Sequence, residues 1–196
     1  MKKFILLLTL ISSCSPDIEK QASTDQNWDT YLGDPGRSHY SNLSEFTAEN
    51  VGQLALAWTY DSGEMREGNS TMYTSPLVID GVLYGLSPKL VAFALDAATG
   101  EELWRSNYVG PGAAQRGLMW WEDGEDRRII YPAGSELIAL NADTGQPIRS
   151  FGVNGRINLK PEDKEVPFFT SVPGVVFEDK LILGFSTAES ANSQAG

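Results

Sequence analysis

The sequence predicts an all-β protein, part of a β-propeller with fewer than three blades present, and three observations carry that prediction. First, an octapeptide recurs: Phe93-Ala94-Leu95-Asp96-Ala97-Ala98-Thr99-Gly100 returns as Ile138-Ala139-Leu140-Asn141-Ala142-Asp143-Thr144-Gly145, 45 residues later. Second, each copy lies between runs of apolar, β-favouring residues, which is the pattern of strand, turn and strand. Third, further hairpins fall in step. Pro76-Leu77-Val78-Ile79, Asp80-Gly81 and Val82-Leu83-Tyr84 form one; Val175-Val176-Phe177, Glu178-Asp179 and Lys180-Leu181-Ile182-Leu183 form another. A period near 45 with this content fits a four-stranded blade rather than a helical repeat.

The elements follow in chain order. Residues 1–13 have the character of an export signal: Lys2 and Lys3, a short apolar run from Phe4 to Ile11, then Ser12 and Ser13 before Cys14. Ile11-Ser12-Ser13-Cys14 resembles a bacterial lipobox, which implies acylation of Cys14 and a lipoprotein signal peptide; an ordinary signal peptide with a nearby cysteine is the alternative. Cys14 is the only cysteine, so no internal disulfide can form. Residues 14–27 are polar and aperiodic, as in a flexible tether. Residues 28–196 are expected to be the N-terminal part of an incomplete propeller. Within them lie an outer segment from Trp28 to Gly63, a blade around 72–107, a second around 115–151, and the opening strands of a third from about 168.

The Asp or Asn and the Thr of each octapeptide are expected to hydrogen-bond the turn, with glycine at the position of positive φ. Trp120 and Trp121 are adjacent on a strand and therefore face opposite ways. At most one of them could face a site, and packing between blades is the expectation. Glu122 to Arg128 is a charged hairpin loop, expected at the surface. His39, the single histidine, has no partner cluster and is not read as a general base.

Composition excludes some functions. Hydrophobic residues at 41 % allow a packed core. A net charge of −11 argues against a nucleic-acid partner, which demands a basic face. Past the leader no apolar run approaches the ~20 residues of a membrane-spanning helix.

Several motifs together carry a family resemblance. These are Trp28-Asp29-Thr30-Tyr31-Leu32-Gly33-Asp34, Tyr40-Ser41-Asn42-Leu43, Ala57-Trp58-Thr59-Tyr60, Pro76-Leu77-Val78, Gly81-Val82-Leu83-Tyr84, the octapeptide turn and Arg116-Gly117-Leu118. From Trp28 onward the chain resembles the pyrroloquinoline quinone (PQQ) dependent dehydrogenases, and within them the glucose-dehydrogenase-like branch. The resemblance implies an eight-bladed propeller in the full-length family, about three times this length or more, with PQQ and usually Ca²⁺ near its axis. It implies that Arg116 grips a PQQ carboxylate, for which a guanidinium fork is suited. By the same likeness Thr170 and Ser186 hydrogen-bond the cofactor, and Glu189 is a Ca²⁺ ligand, a carboxylate being what a hard cation takes. Read without the resemblance, Arg116 and Glu189 are solvated surface charges, and Thr170 and Ser186 are hydroxyls satisfying turn backbone. Tyr73 stands where many relatives carry an acidic cofactor contact, and Gly112 to Gln115 replace a histidine found in some membrane-type glucose dehydrogenases.

The implied function is oxidation of a sugar or alcohol C–OH group with PQQ and Ca²⁺, electrons passing to a membrane quinone or a cytochrome. The family's catalytic aspartate is expected beyond residue 196, so this chain alone is expected to be inactive. The implied location is periplasmic, with a lipid anchor in a bacterial membrane, the outer membrane favoured. The other reading is a non-catalytic propeller lipoprotein serving as an outer-membrane assembly scaffold.

Overall fold

The computed structural model describes residues 27–64, 71–108, 115–160 and 168–187, without the side chains of 168, 186 and 187. Cys14, Glu189, the leader and most of the tether lie outside the described residues. Strands β1 (Leu77–Ile79), β2 (Val82–Leu86), β3 (Ala92–Asp96) and β4 (Glu102–Arg105) form one antiparallel sheet in chain order. Strands β5 (Met119–Asp123), β6 (Asp126–Ala133), β7 (Glu136–Asn141) and β8 (Arg156–Asn158) form a second in the same order. A third unit begins with β9 (Phe168–Phe169), β10 (Val175–Phe177), β11 (Lys180–Ile182) and β12 (Ser186–Thr187), paired as β10 with β11 and β9 with β12. The all-β prediction and the blade count therefore agree with the fold.

The turns form for the reasons legible in their residues. Asp80 and Gly81 between β1 and β2 have φ of 51° and 79°, the two left-handed positions of a type I′ hairpin. In the first octapeptide the Asp96 carboxylate accepts from the N–H of Ala98 and Thr99 and from the Thr99 hydroxyl. In the second, Asn141 Oδ1 accepts the same three bonds from Asp143 and Thr144. Gly100 and Gly145 close these turns at φ of 75° and 67°.

A tryptophan from the preceding segment caps each turn, which the strand pattern did not anticipate. Trp58 Nε1 donates to the Ala97 carbonyl at 3.2 Å, and Trp104 Nε1 donates to the Ala142 carbonyl at 2.8 Å. A Cβ placed on Gly100 would meet the Trp58 ring at 2.5 Å, and one on Gly145 would meet the Trp104 ring at 2.4 Å. Glycine is thus required twice over, by the backbone angle and by the indole lying against it.

The core sits between sheets. Leu77, Ile79, Tyr84, Leu86, Ala92 and Ala94 of the first blade face Leu118, Ile129, Tyr131, Ile138 and Leu140 of the second. The opposite face of the second blade places Met119, Ile130, Leu137 and Ala139 against Val176, Leu181 and Leu183 of the third unit. Ile129 and Ile130 therefore serve different interfaces, as alternation along a strand demands. Burial on both faces explains why these strands are continuous apolar runs. Trp120 packs in the first interface, 5.8 Å from the Tyr84 ring, and Trp121 joins the second beneath the Arg128 guanidinium.

The second blade ends later than the spacing suggested, at Asn158 rather than near Phe151. Leu95 pairs with Glu102 and Phe93 with Arg105, across a single bulged residue. In the second blade Leu140 bridges Pro147, but Ile138 is not paired until Arg156. Six more residues are inserted there, and they fold as a turn in which Gly152, Asn154 and Gly155 all have positive φ.

Candidate functional site

The lead-in segments of the three blade units meet edge to edge and form a rim. Ser75 N–H donates to the Arg116 carbonyl at 2.9 Å, and Arg116 N–H donates to the Ser171 carbonyl at 2.9 Å. Ser75 and Gly117 form a parallel bridge. The first two of these segments precede β1 and β5 and the third lies between β9 and β10, so β1 and β5 are the inner strands of their blades and β4 and β8 the outer.

Arg116 sits at the middle of this rim, its backbone held on both sides and its side chain exposed. The glycine after it is dictated by packing, since a Cβ on Gly117 would meet the Tyr31 ring at 2.7 Å and Pro173 at 3.3 Å. The opening segment is anchored nearby by two backbone bonds between Trp28 and Val78, of 2.6 and 3.1 Å. This accounts for the Trp28–Tyr31 motif in structural terms.

Thr170 is buried, 3 % exposed. Its hydroxyl lies 2.7 Å from the Gly184 carbonyl and 3.2 Å from that of Val172, so its single proton goes to backbone. The oxygen retains acceptor capacity. Ser186 pairs with Phe169 across β12 and β9, which brings its backbone beside Thr170. Three of the sequence-derived positions, Arg116, Thr170 and Ser186, thus share one rim. Glu189 and Cys14 lie outside the described residues. Tyr73 is 59 % exposed at the same rim. His39 is exposed, and its backbone N–H donates to the Leu32 carbonyl.

One rim residue escaped the sequence reading. Gln115 is 3 % exposed, and its Nε2 donates to the Thr170 carbonyl at 2.7 Å. Its own carbonyl accepts the Thr74 hydroxyl at 3.1 Å. Its Oε1 is buried and has no hydrogen-bond partner among the described residues. An orphaned buried acceptor costs about 1–3 kcal/mol, which offsets the ~1 kcal/mol that its other bond contributes. For stability alone this amide is close to neutral.

Among the described residues no group of three or more His, Cys, Asp or Glu side chains is placed to hold a metal. A cavity of about 1050 Å³ lies elsewhere, by the inserted turn of the second blade, lined by Tyr108, Arg149 and Arg156 and by none of the rim residues.

Fold and rim together define propeller blades whose lead-in segments join Gln115, Arg116 and Thr170 in one hydrogen-bonded ladder. The PQQ family model described as "Glucose/ethanol/alcohol dehydrogenase, beta-propeller domain" matches residues 28–196, and the chain belongs to that family. It is 25 % identical to the quinoprotein glucose dehydrogenase of Escherichia coli over 95 % of this chain and 26 % of that protein. It is 33 % identical to the dehydrogenase subunit of alcohol dehydrogenase (quinone) from Komagataeibacter europaeus over 71 % of this chain and 18 % of that protein. The crystal structure of quinohemoprotein alcohol dehydrogenase from Comamonas testosteroni superposes with a TM-score of 0.67 at 26 % identity, covering 85 % of this chain and 24 % of that one. The chain spans about a quarter of the length of the first relatives it matches. All three proteins named are dehydrogenases, and the scaffold reading gains no support from them.

Proposed function

We propose that this chain supplies one wall of the cofactor cavity in a PQQ-dependent dehydrogenase that oxidises a sugar or alcohol C–OH group. The observation that carries the proposal is the rim: an exposed guanidinium, Arg116, whose backbone is clamped between Ser75 and Ser171. A permanently charged fork on an anchored backbone fits a ligand with carboxylates, and the preceding residue, Gln115, carries a buried oxygen with no hydrogen-bond partner among the described residues. When bound, PQQ supplies the two-electron acceptor, chemistry that belongs to the cofactor. Arg116 holds and orients it, Thr170 and Ser186 offer hydroxyls at its edge, and the packed strand ends exclude water from one side. Ca²⁺ would be taken by Glu189, whose carboxylate is the oxygen donor a hard cation takes. Electrons leave to a membrane quinone or a cytochrome.

The test uses the protein expressed from its complete open reading frame. PQQ is titrated into the apo-protein by fluorescence, and dye reduction is followed with glucose, glycerol and ethanol. Wild type is expected to bind, and Arg116→Ala to bind at least 10-fold more weakly with its melting temperature retained. Equal affinities, or no binding by wild type, would sink the proposal. The same reading places the protein outside the cytoplasm, tethered through acylated Cys14. Labelled fatty acid should enter wild type but not Cys14→Ala, and an unlabelled wild type removes the anchor.

A further inference from the structure

The residue before the arginine offers more than its neutral contribution to stability explains. Three stretches of chain far apart in sequence converge on the Gln115-Arg116 dipeptide. Thr74 donates to the Gln115 carbonyl across 41 residues, and Gln115 Nε2 donates to the Thr170 carbonyl across 55. Arg116 continues the same ladder, through Ser75 on one side and Ser171 on the other. The orientation of the amide is fixed. Exchanging its two ends would set Oε1 against the Thr170 carbonyl oxygen 2.7 Å away, so the nitrogen faces Thr170 and the oxygen faces away from it. That oxygen is buried and unpartnered among the described residues.

We infer that Gln115 is a positioning residue for cofactor binding. Its amide nitrogen fixes the spacing between the segments that carry Arg116 and Thr170, and its free oxygen accepts a hydrogen bond from a donor that arrives when the rim is filled. The inference rests on the proposed quinone site and names a residue that the family likeness did not supply. An apolar isostere removes the orphaned oxygen and leaves the Thr170 carbonyl without its donor, one unsatisfied acceptor exchanged for another, so the apo-fold is nearly unchanged. Its effect should therefore appear in ligand binding.

The experiment compares wild type, Gln115→Met, Arg116→Ala and the double variant, each expressed from the complete open reading frame. Apo melting temperature and the dissociation constant for PQQ are measured for all four. Gln115→Met is expected to melt within a few degrees of wild type and to bind PQQ about 10-fold more weakly. If Gln115 acts through the placement of Arg116, its substitution adds less than threefold in the Arg116→Ala background. Should Gln115→Met fail to fold, Gln115→Glu keeps the shape and removes the donor, with the same loss expected. Unchanged PQQ affinity in a folded variant would overturn the inference, as would full additivity with Arg116→Ala. Failure of wild type to bind PQQ is a separate result, which rejects the quinone site itself.

Discussion

The two complete blades begin alike and end differently. Both carry the same three-bond turn, the same closing glycine and an incoming indole. Their outer strands diverge. In the first, Trp104 stands across from Ala94 and reaches forward to cap the next turn. In the second, the residue level with Ala139 is Gly155, whose carbonyl accepts the Ala139 N–H. A Cβ there would meet Pro147 at 2.8 Å, so the place holds no large side chain. The arginines that follow differ in the same sense. Arg105 donates to Glu102, to the Ser62 carbonyl and to the Tyr60 hydroxyl. Arg156 stacks on Tyr108 at 4.7 Å and reaches Glu136 only at 3.9 Å. The inner strands of a blade are constrained on both faces by neighbours, whereas the outer strand has a free edge where six residues can be inserted.

Substitutions can break this comparison, and the largest effect should fall on the cap. Trp104→Ala removes a ring from the first interface and an indole bond from the second turn; it should destabilise by about 3 kcal/mol in denaturant unfolding. An unchanged midpoint would show that the cap is incidental. A smaller contrast is expected between the arginines. Arg105→Ala should lower stability by about 1–2 kcal/mol, since three hydrogen bonds are lost. Arg156→Ala should change it by under ~0.5 kcal/mol, as for an exposed, long-range pair. Equal effects would mean that the inserted turn leaves the edge as tightly held as in the first blade.

The smallest effect near neutral pH concerns Tyr84, buried between the blades. Burial pushes its phenol up from 10.0 to about 12. The folded protein keeps this phenol neutral after the unfolded chain has begun to ionise. Stability is then intact below pH 10 and declines as pH climbs toward 12. Tyr84→Phe should flatten that alkaline decline in a pH series of thermal melts. An identical slope would place the lability on other groups.

How much of this was legible depends on the range of the contacts. The hairpins and the octapeptide turns were readable because their bonds join residues two or three apart, with Asp, Asn, Thr and Gly fixed in type. The indole caps were readable in principle, since Trp58 and Trp104 recur at nearly the period of their turns. The split of the second outer strand left a fainter trace, in Gln146-Pro147, Gly152 and Gly155. Gln115 left none. Its burial comes from segments 41 and 55 residues away, and glutamine by itself carries no pattern. Arg116 was legible through the family's Arg-Gly pair, but the role of Gly117 in receiving Tyr31 needed the packed structure. Thr170 was named by likeness as a cofactor contact, yet only coordinates could show its proton directed to backbone.

The caps also have a direction in time. Each indole precedes the turn it covers, by 39 residues for Trp58 and 38 for Trp104. A chain that emerges amino end first has the lid made before the seat. Each new turn can be captured as soon as its glycine appears, by a ring already in place, and no contact with a distant segment is required. Short separations of this kind favour rapid closure. For these two turns the repeat therefore encodes an order of assembly as well as a shape, each latched by the segment made before it.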